Sequence, residues 1–342
     1  MARDAAKNKP ADRYPGVSVL IVAYESGEYL GQCLAALEAQ SFQDFEIIMV
    51  DNASSDGAPQ AAIEIFPQVK LIVAGSNLGF AAGMNLAASH ATGDWLALIN
   101  PDAFAAPDWL DKLYAATQAH PSLKAFGCRQ SMDDDSGRLD GMGDVMALAG
   151  FPFRGGYGQP DPGPVEAGET FSTCGGAMLI DRSVFQSLGG FDERLFCYCE
   201  DVDLGYRLRL AGMASWVVPD AVVRHVGSAS SGGPRSDFAV FHGSRNRVWV
   251  FIKNTPPVLL WLTLPLHILA TLVLFMRHAM RGELAAPLRG LKAALAGLPM
   301  ILAARRETQA KRQVTSWEIA AAMTWNPLDL LRRRVVIHRP KP

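Results

Sequence analysis

Short apolar runs closed by polar residues alternate with helix-periodic stretches through the first third of the chain. The run Val17–Ala23 is apolar and largely β-branched, the pattern of a strand buried on both faces. Behind Ser26, a candidate N-cap, Leu30, Cys33, Leu34 and Leu37 share one helical face. Residues 45–50 repeat the strand signal and end at Asp51, and Asn52-Ala53-Ser54-Ser55-Asp56-Gly57 reads as a polar turn into a helix that reaches Phe66. Residues 69–73 predict a third strand, and Asn77-Leu78-Gly79-Phe80 opens a helix to His90. Trp95–Ile99 predicts a fourth strand, ending at Asn100-Pro101-Asp102. Pro107 suits the first turn of the helix after it. Four such βα units predict a parallel α/β sheet, whose ligands bind beyond the carboxyl ends of the strands. Asp51, Asn77 and Asp102 all fall there.

Farther on the pattern is less regular. No GxGxxG follows the first strand, where Ala23-Tyr24-Glu25-Ser26-Gly27 stands instead, and no Walker A loop exists, so an NAD-linked enzyme is a distant reading. Residues 131–170 are rich in Gly, Pro and Asp and predict a long active-site loop or acceptor flap. Cys174-Gly175-Gly176-Ala177-Met178-Leu179-Ile180 resumes a strand, and Gly189-Gly190-Phe191-Asp192 makes a turn. Glu200, Asp201 and Asp203 then crowd three acids at the mouth of a helix-periodic run over 202–211. They are either an acidic first turn that meets the helix dipole, or a functional cluster in which at least one pKa is shifted. Residues 216–218 and 222–223 predict two short strands flanking Pro219, followed by His225. Residues 228–234 read as a flexible Ser/Gly loop, and Arg245-Asn246-Arg247 as part of a helix ending near Asn254.

Composition adds an asymmetry. The 342 residues suit one large domain with an appendage, and the formal net charge is only -2. From Arg277 onward, however, 13 Lys and Arg stand against 4 Asp and Glu. An acidic body with a basic tail suggests an anionic partner, membrane or nucleic acid, and the lack of interleaved aromatics or a known motif argues against nucleic acid. The five cysteines show no disulfide or zinc spacing and read as free thiols of a reducing compartment. The flexible N-terminus, residues 1–16, has no apolar signal-peptide core, which predicts a cytoplasmic body.

Taken in order, these pieces resemble inverting family 2 glycosyltransferases of the GT-A fold. The resemblance runs over most of the chain, on Val17–Ala23 with Tyr24, Val50-Asp51-Asn52-Ala53-Ser54-Ser55-Asp56-Gly57, and Asn77-Leu78-Gly79-Phe80 with Gly83 and Asn85. It continues through Asn100-Pro101-Asp102, Gly190-Phe191-Asp192, Glu200-Asp201-Val202-Asp203, and His225 with Gly227 and Ser228. The rhamnosyltransferase-like branch, which builds bacterial polysaccharides and lipid-linked glycans, is the most similar. Two departures stand out: Asn100-Pro101-Asp102 replaces a fuller DxD, and Cys197 and Cys199 take positions where the branch often carries bulkier apolar residues.

The resemblance implies a GT-A (Rossmann-like) mixed α/β sheet flanked by helices over residues 17–255. Residues 17–102 would form its nucleotide-binding half and 103–255 its acceptor-binding half, and 256–342 a C-terminal helical membrane-associating region. It implies a nucleotide-sugar donor, with dTDP-rhamnose as one candidate, and a lipid-linked or polysaccharide acceptor. Asp102, ending a buried strand, suits a hard cation that neutralises a departing diphosphate, and the resemblance adds His225 as second ligand of Mg²⁺ or Mn²⁺. By residue type alone Asp102 is equally turn chemistry, and His225 a satisfied core or loop histidine. Asp201 is the expected general base. Asp51 would accept from the imide N–H of a uracil or thymine base, or else closes an Asx turn. Ala23, Tyr24 and Glu25 would line the nucleoside, with Asn77, Gly79 and Asn100 on the donor side, although Asn77 serves as well to start a helix. Cys174, Gly175 and Gly176 would face the acceptor or form a bulge, with Glu200 beside them; Glu200 and Asp203 orient the site or cap the helix.

Residues 258–276 carry no formal charge and are interrupted by Pro265 and His267. As a helix they would span about 28 Å, barely the hydrocarbon core. A crossing would leave the basic tail outside, against the positive-inside tendency, so a kinked helix or re-entrant pair at the cytoplasmic face of the inner membrane is expected. Residues 288–304 add an apolar segment edged by Arg289, Lys292, Arg305 and Arg306, suited to anionic headgroups. The alternative is a helical hairpin packed on the enzyme. No QxxRW segment points to a processive synthase, a non-catalytic sugar-nucleotide binder is the competing class, and homo-oligomerisation stays open.

Overall fold

The structure, a computed structural model, describes residues 15–227, 232–233 and 235–339. Residues 1–14 of the N-terminal segment, Ser228 and most of the 228–234 loop lie outside the described residues. The first half alternates as its pattern predicts: β1 Val17–Ala23, α1 Tyr29–Glu38, β2 Phe45–Asp51, α2 Ala58–Ile65, β3 Lys70–Val73, α3 Gly79–Ser89 and β4 Trp95–Ile99. Next come β5 Ala103–Ala105, α4 Trp109–Ala119, β6 Ala125–Met132, β7 Leu139–Gly141, β8 Asp144–Ala147, β9 Phe151–Arg154, β10 Gly168–Thr170 and β11 Ala177–Asp181. The chain ends with α5 Arg182–Ser187, α6 Glu200–Leu210, β12 Ser215–His225, α7 Asp237–Asn254, α8 Pro257–Ala279, α9 Ala285–Ala296, α10 Leu298–Ala310, α11 Ser316–Ala322 and α12 Pro327–Arg332.

Among the described residues one sheet follows the order β10-β12-β6-β11-β4-β1-β2-β3, with β5 on β12 and β7 on β6. The four strands from β3 to β4 are parallel, as four βα units require. β11 then runs antiparallel between β4 and β6, so the sheet is mixed. Every β1 side chain is buried, which is why that run alternates so little. Two apolar clusters, one against α1 and α4 and one against α3 and α6, cover the sheet's faces.

Several local expectations are corrected. Ser26 does not cap α1: its hydroxyl accepts from the Tyr24 N–H (3.2 Å), and Glu28 holds the cap position without a side-chain bond. Pro107 lies just before the Asp108 cap of α4 rather than in its first turn. Residues 131–170 are not one loop but carry β7 to β10. Residues 174–176 stay outside β11. The two short strands expected around Pro219 are one strand, β12, whose register against β6 shifts between Val218 and Val222, since proline has no N–H to give the ladder.

The C-terminal third packs back on the body. α9 presses Gly290 against the Phe241 carbonyl of α7, and Trp249 Nε1 donates to Ala294 O (3.0 Å). Arg305 on α10 caps α7 through the carbonyls of Ile252 and Thr255, each at 2.6 Å. His338 pairs with Glu169 of β10 through two 2.8 Å main-chain bonds. α8 is a single helix that Pro265 interrupts without breaking, and α9 and α10 bend by 62° across Gly297. Leu259, Thr263 and His267 bury one face of α8, while Trp261, Leu262, Leu266, Leu269, Leu272 and Met276 are exposed on the other.

Candidate active site

The carboxyl ends of β1, β2 and β4 open into a cleft of about 1460 Å³. That exceeds the usual 300–1,000 Å³ or so of a single small-molecule pocket and leaves room for two substrates. Tyr24, Asn77, Gly79, Asn100, Asp102, Gly176, Glu200, Asp201 and His225 line it.

One side is built by β5 and β12. Their antiparallel pairing sets Ala103 opposite His225, and Val226 N–H donates to Asp102 O (3.0 Å). His225 Nε2 consequently stands 3.2 Å from Asp102 Oδ1, with Asn100 Nδ2 3.3 Å away. Its Nδ1 is 2.7 Å from Asp140 Oδ2, and Arg154 closes on the same carboxylate. Burial alone would lower the His225 pKa, but Asp102 and Asp140 outweigh it and push it up to about 9. Burial likewise opposes ionisation of Asp140, and Arg154 with His225 overcomes it and holds this carboxyl below its usual value. A carboxylate behind the far ring nitrogen is the arrangement that orients metal-binding histidines. One imidazole and one carboxylate suit Mg²⁺ or Mn²⁺ completed by substrate oxygens and water. Among the described residues no group of three or more His, Cys, Asp or Glu gathers for a metal ion.

Asp201 forms another side, in the first turn of α6. Its Oδ2 accepts from Gly175 N–H (2.9 Å) and its Oδ1 from Val202 N–H (2.8 Å). Gly175 and Gly176 join the two sides. A Cβ on Gly175 would lie 3.1 Å from Asp201 Cβ, and one on Gly176 3.3 Å from Asn100 Nδ2 and 3.6 Å from His225 Cε1. A Cβ at either position would be a tight fit, so glycine eases the close approach of the two sides.

Ahead of Asp201 the main chain is strained. Phe196, Tyr198 and Cys199 all have φ near +65° to +70°, a region that costs a non-glycine residue roughly 1–3 kcal/mol. Asn246 Nδ2 of α7 secures the segment, lying within 2.7–2.9 Å of the carbonyls of Leu195, Cys197 and Tyr198. Gly79, at φ +79°, packs beneath Phe196, where a Cβ would come within 2.5 Å of the ring.

Of the other expected residues, Ala23, Glu25, Asp51, Cys174 and Gly175 do not line the cleft. Asp51 accepts from Ser54 N–H (2.9 Å), three residues on, and from Gln60 Nε2 (2.8 Å). Glu25 accepts from the Ser55 N–H (2.8 Å) and hydroxyl (2.9 Å), and the Ala23 carbonyl accepts from Asn52 N–H (2.9 Å). Asn77 Oδ1 accepts from Gly79 N–H (2.9 Å) and from Asn52 Nδ2 (3.0 Å). Cys174 is buried, which pushes its thiol well up, and with Gly175 it backs the lining rather than forming it. Cys33, Cys128 and Cys174 are buried free thiols, Cys197 and Cys199 half-buried ones. Asp140, Asp144 and Arg154 line the cleft but come from the segment read as a loop. The only trace of them was its density of Asp among Gly and Pro.

Residues 18–189 match the family model described as glycosyl transferase family 2. The N-acetylglucosaminyl-diphospho-decaprenol L-rhamnosyltransferase of Mycobacterium tuberculosis is 33% identical over 262 residues, 69% of this chain and 83% of that protein. Among solved structures, a Pyrobaculum calidifontis mannosyltransferase in complex with GDP-Man and Mn²⁺ superposes with a TM-score of 0.54 at 20% identity, covering 94% of this chain and 88% of that one. S. aureus TarS gives 0.52 at 16% identity, covering 90% and 83%. At such identities these two speak for the fold.

Proposed function

The chain belongs to glycosyl transferase family 2, and from that premise we propose that it is a metal-dependent inverting enzyme moving one sugar from a nucleotide-sugar to a hydroxyl of a lipid-linked acceptor. The rhamnosyltransferase relative favours a dTDP-rhamnose donor and an acceptor that ends in N-acetylglucosamine on a diphosphate lipid. The observation that carries the reading is the two-glycine strip, which brings Asp201 and the Asp102–His225 pair to one cleft.

In this reading Tyr24, Asn77, Gly79 and Asn100 hold the donor, with Ala23, Glu25 and Asp51 supporting that wall from behind. Gly176 and Glu200 meet the acceptor, backed by Cys174 and Gly175. Asp201 takes the proton of the acceptor hydroxyl as that oxygen bonds to the anomeric carbon. The bond from that carbon to the diphosphate oxygen breaks on the opposite face, so configuration inverts. Asp102 and His225 would hold a divalent cation, which would supply neutralising charge for the leaving diphosphate. A partly buried base poised against an acceptor hydroxyl contributes ~10²–10⁴-fold.

The same reading puts the enzyme at the cytoplasmic face of a bacterial inner membrane, attached peripherally or shallowly. The exposed apolar row of α8, with Arg277 and Arg281 at its end, supports that attachment.

The test is transfer from dTDP-rhamnose to a synthetic N-acetylglucosamine diphosphate lipid, with and without Mg²⁺ or Mn²⁺. Asp201→Asn should lower kcat by ~10²–10⁴-fold with the donor KM little changed. Turnover near wild type in that variant would remove Asp201 from its role.

A further inference from the structure

Two carboxyl groups of the cleft each leave one oxygen without a partner. Asp144 Oδ2 and Glu200 Oε2 are buried and unbonded, in residues only 5% and 6% exposed that both line the cleft. Each is tied to the main chain next to Asp201. Glu200 precedes it directly. Asp144 exchanges main-chain bonds with Ser172 (2.8 and 3.2 Å), whose hydroxyl donates to Asp201 O at 3.0 Å. Thr170 Oγ1 also donates to the Asp144 carbonyl at 3.0 Å.

An unmade hydrogen bond on a buried polar group costs about 1–3 kcal/mol, so two in one cleft are expected where a ligand completes them. Burial first, then the nearby Asp201 charge, raises both carboxyls well above the ordinary range. A carboxyl kept neutral offers one O–H donor and one acceptor oxygen. A sugar hydroxyl offers the same two functions in reverse, and a pyranose carries hydroxyls in neighbouring pairs. An ionised pair would offer only acceptors and would repel Asp201.

We propose that Asp144, with Glu200, clamps the acceptor sugar by hydrogen-bonding the hydroxyl next to the one that Asp201 deprotonates. Asp144 is then a positioning and specificity residue rather than a catalytic one. The inference rests on the glycosyltransferase reading above and adds the chemical feature of the acceptor that the cleft selects.

The experiment measures transfer from dTDP-rhamnose to the N-acetylglucosamine diphosphate lipid and to its monodeoxy analogues. Asp144→Ala should lower kcat/KM for the full acceptor by about 10–100-fold and leave the donor KM near wild type. On the one deoxy acceptor that lacks the clamped hydroxyl, the same substitution should cost almost nothing more, since two partners of one bond are not additive. Asp144→Asn keeps a donor and an acceptor without a charge and should restore the full acceptor to within about threefold of wild type. If Asp144→Ala matches wild type on the full acceptor, or loses equally on every analogue, the clamp is overturned while the functional reading stands. If Asp144→Asn is as poor as Asp144→Ala, the neutral clamp is overturned too. A wild-type enzyme that transfers to none of these acceptors overturns the functional reading and the clamp with it.

Discussion

Lys253 shows how one residue can tie together parts of the chain that its sequence keeps apart. Its ammonium, on α7, contacts Asp192 and lies 2.6 Å from Asp203 on α6, all three side chains being almost wholly buried. Arg207 (2.8 Å) and Asn254 (2.7 Å) complete the shell of Asp203, and Arg194 (2.6 Å) that of Asp192. Asp203 thus orients α6 from behind the site. Burial works against both carboxylates, but the surrounding cations outweigh it and hold both below the ordinary range. A depressed folded pKa gives stability that is present above the unfolded value, about 3.9, and lost as pH falls through the folded ones. The contribution of this cluster should therefore hold level from neutral pH to about 5 and shrink below about 4. Lys253→Met strips a partner from two buried charges and should cost about 3–5 kcal/mol at pH 7. Urea titrations should show that deficit narrowing in acid, and a deficit independent of pH would contradict the pairing.

At the scale of elements, α8 and β12 illustrate what local pattern can and cannot say. The exposed row on α8 includes Trp261 at 72% and Leu269 at 59% exposure, so polar replacements there disturb no packing. The double change Trp261→Ser and Leu269→Asp should shift the protein from sedimenting with anionic vesicles to the supernatant, with Tm unchanged. Continued sedimentation would assign attachment to another surface. Along β12, Pro219 split an eleven-residue strand into two apparent ones, because a residue without an N–H imitates a strand end in sequence. The strands β7 to β10 are three or four residues each, too short for a period to declare itself, and they carry Asp140, Asp144 and Arg154 to the cleft. The segment 196–199 shows the same limit: three left-handed non-glycine residues are unreadable in advance because Asn246, nearly 50 positions later, holds them.

For the whole molecule, the region after Asn254 belongs to the packing of the body. Ala294, Ile301, Ile319, Ala320 and Met323 share one buried cluster with Tyr206, Val248 and Trp249. A chain ending at Asn254 should therefore lose cooperative unfolding and bind a hydrophobic dye at temperatures where the full chain does not. Sharp thermal unfolding of that shortened chain would show the tail to be dispensable. What the sequence by itself determined is the parallel half, β1 to β4, and the polar residues at its edge. Buried parallel strands need unbroken local apolar runs, and ligands gather where such runs stop. The quoted motifs likewise singled out Asp102, Asp201 and His225 and, through their order, the family. Only the tertiary structure decided which of the expected residues meet in the cleft and that Asp140 backs His225. It alone revealed unpaired carboxyl oxygens on Asp144 and Glu200. Those outcomes depend on contacts between segments tens of residues apart, whose burial and charge exist only once the sheet has closed around them.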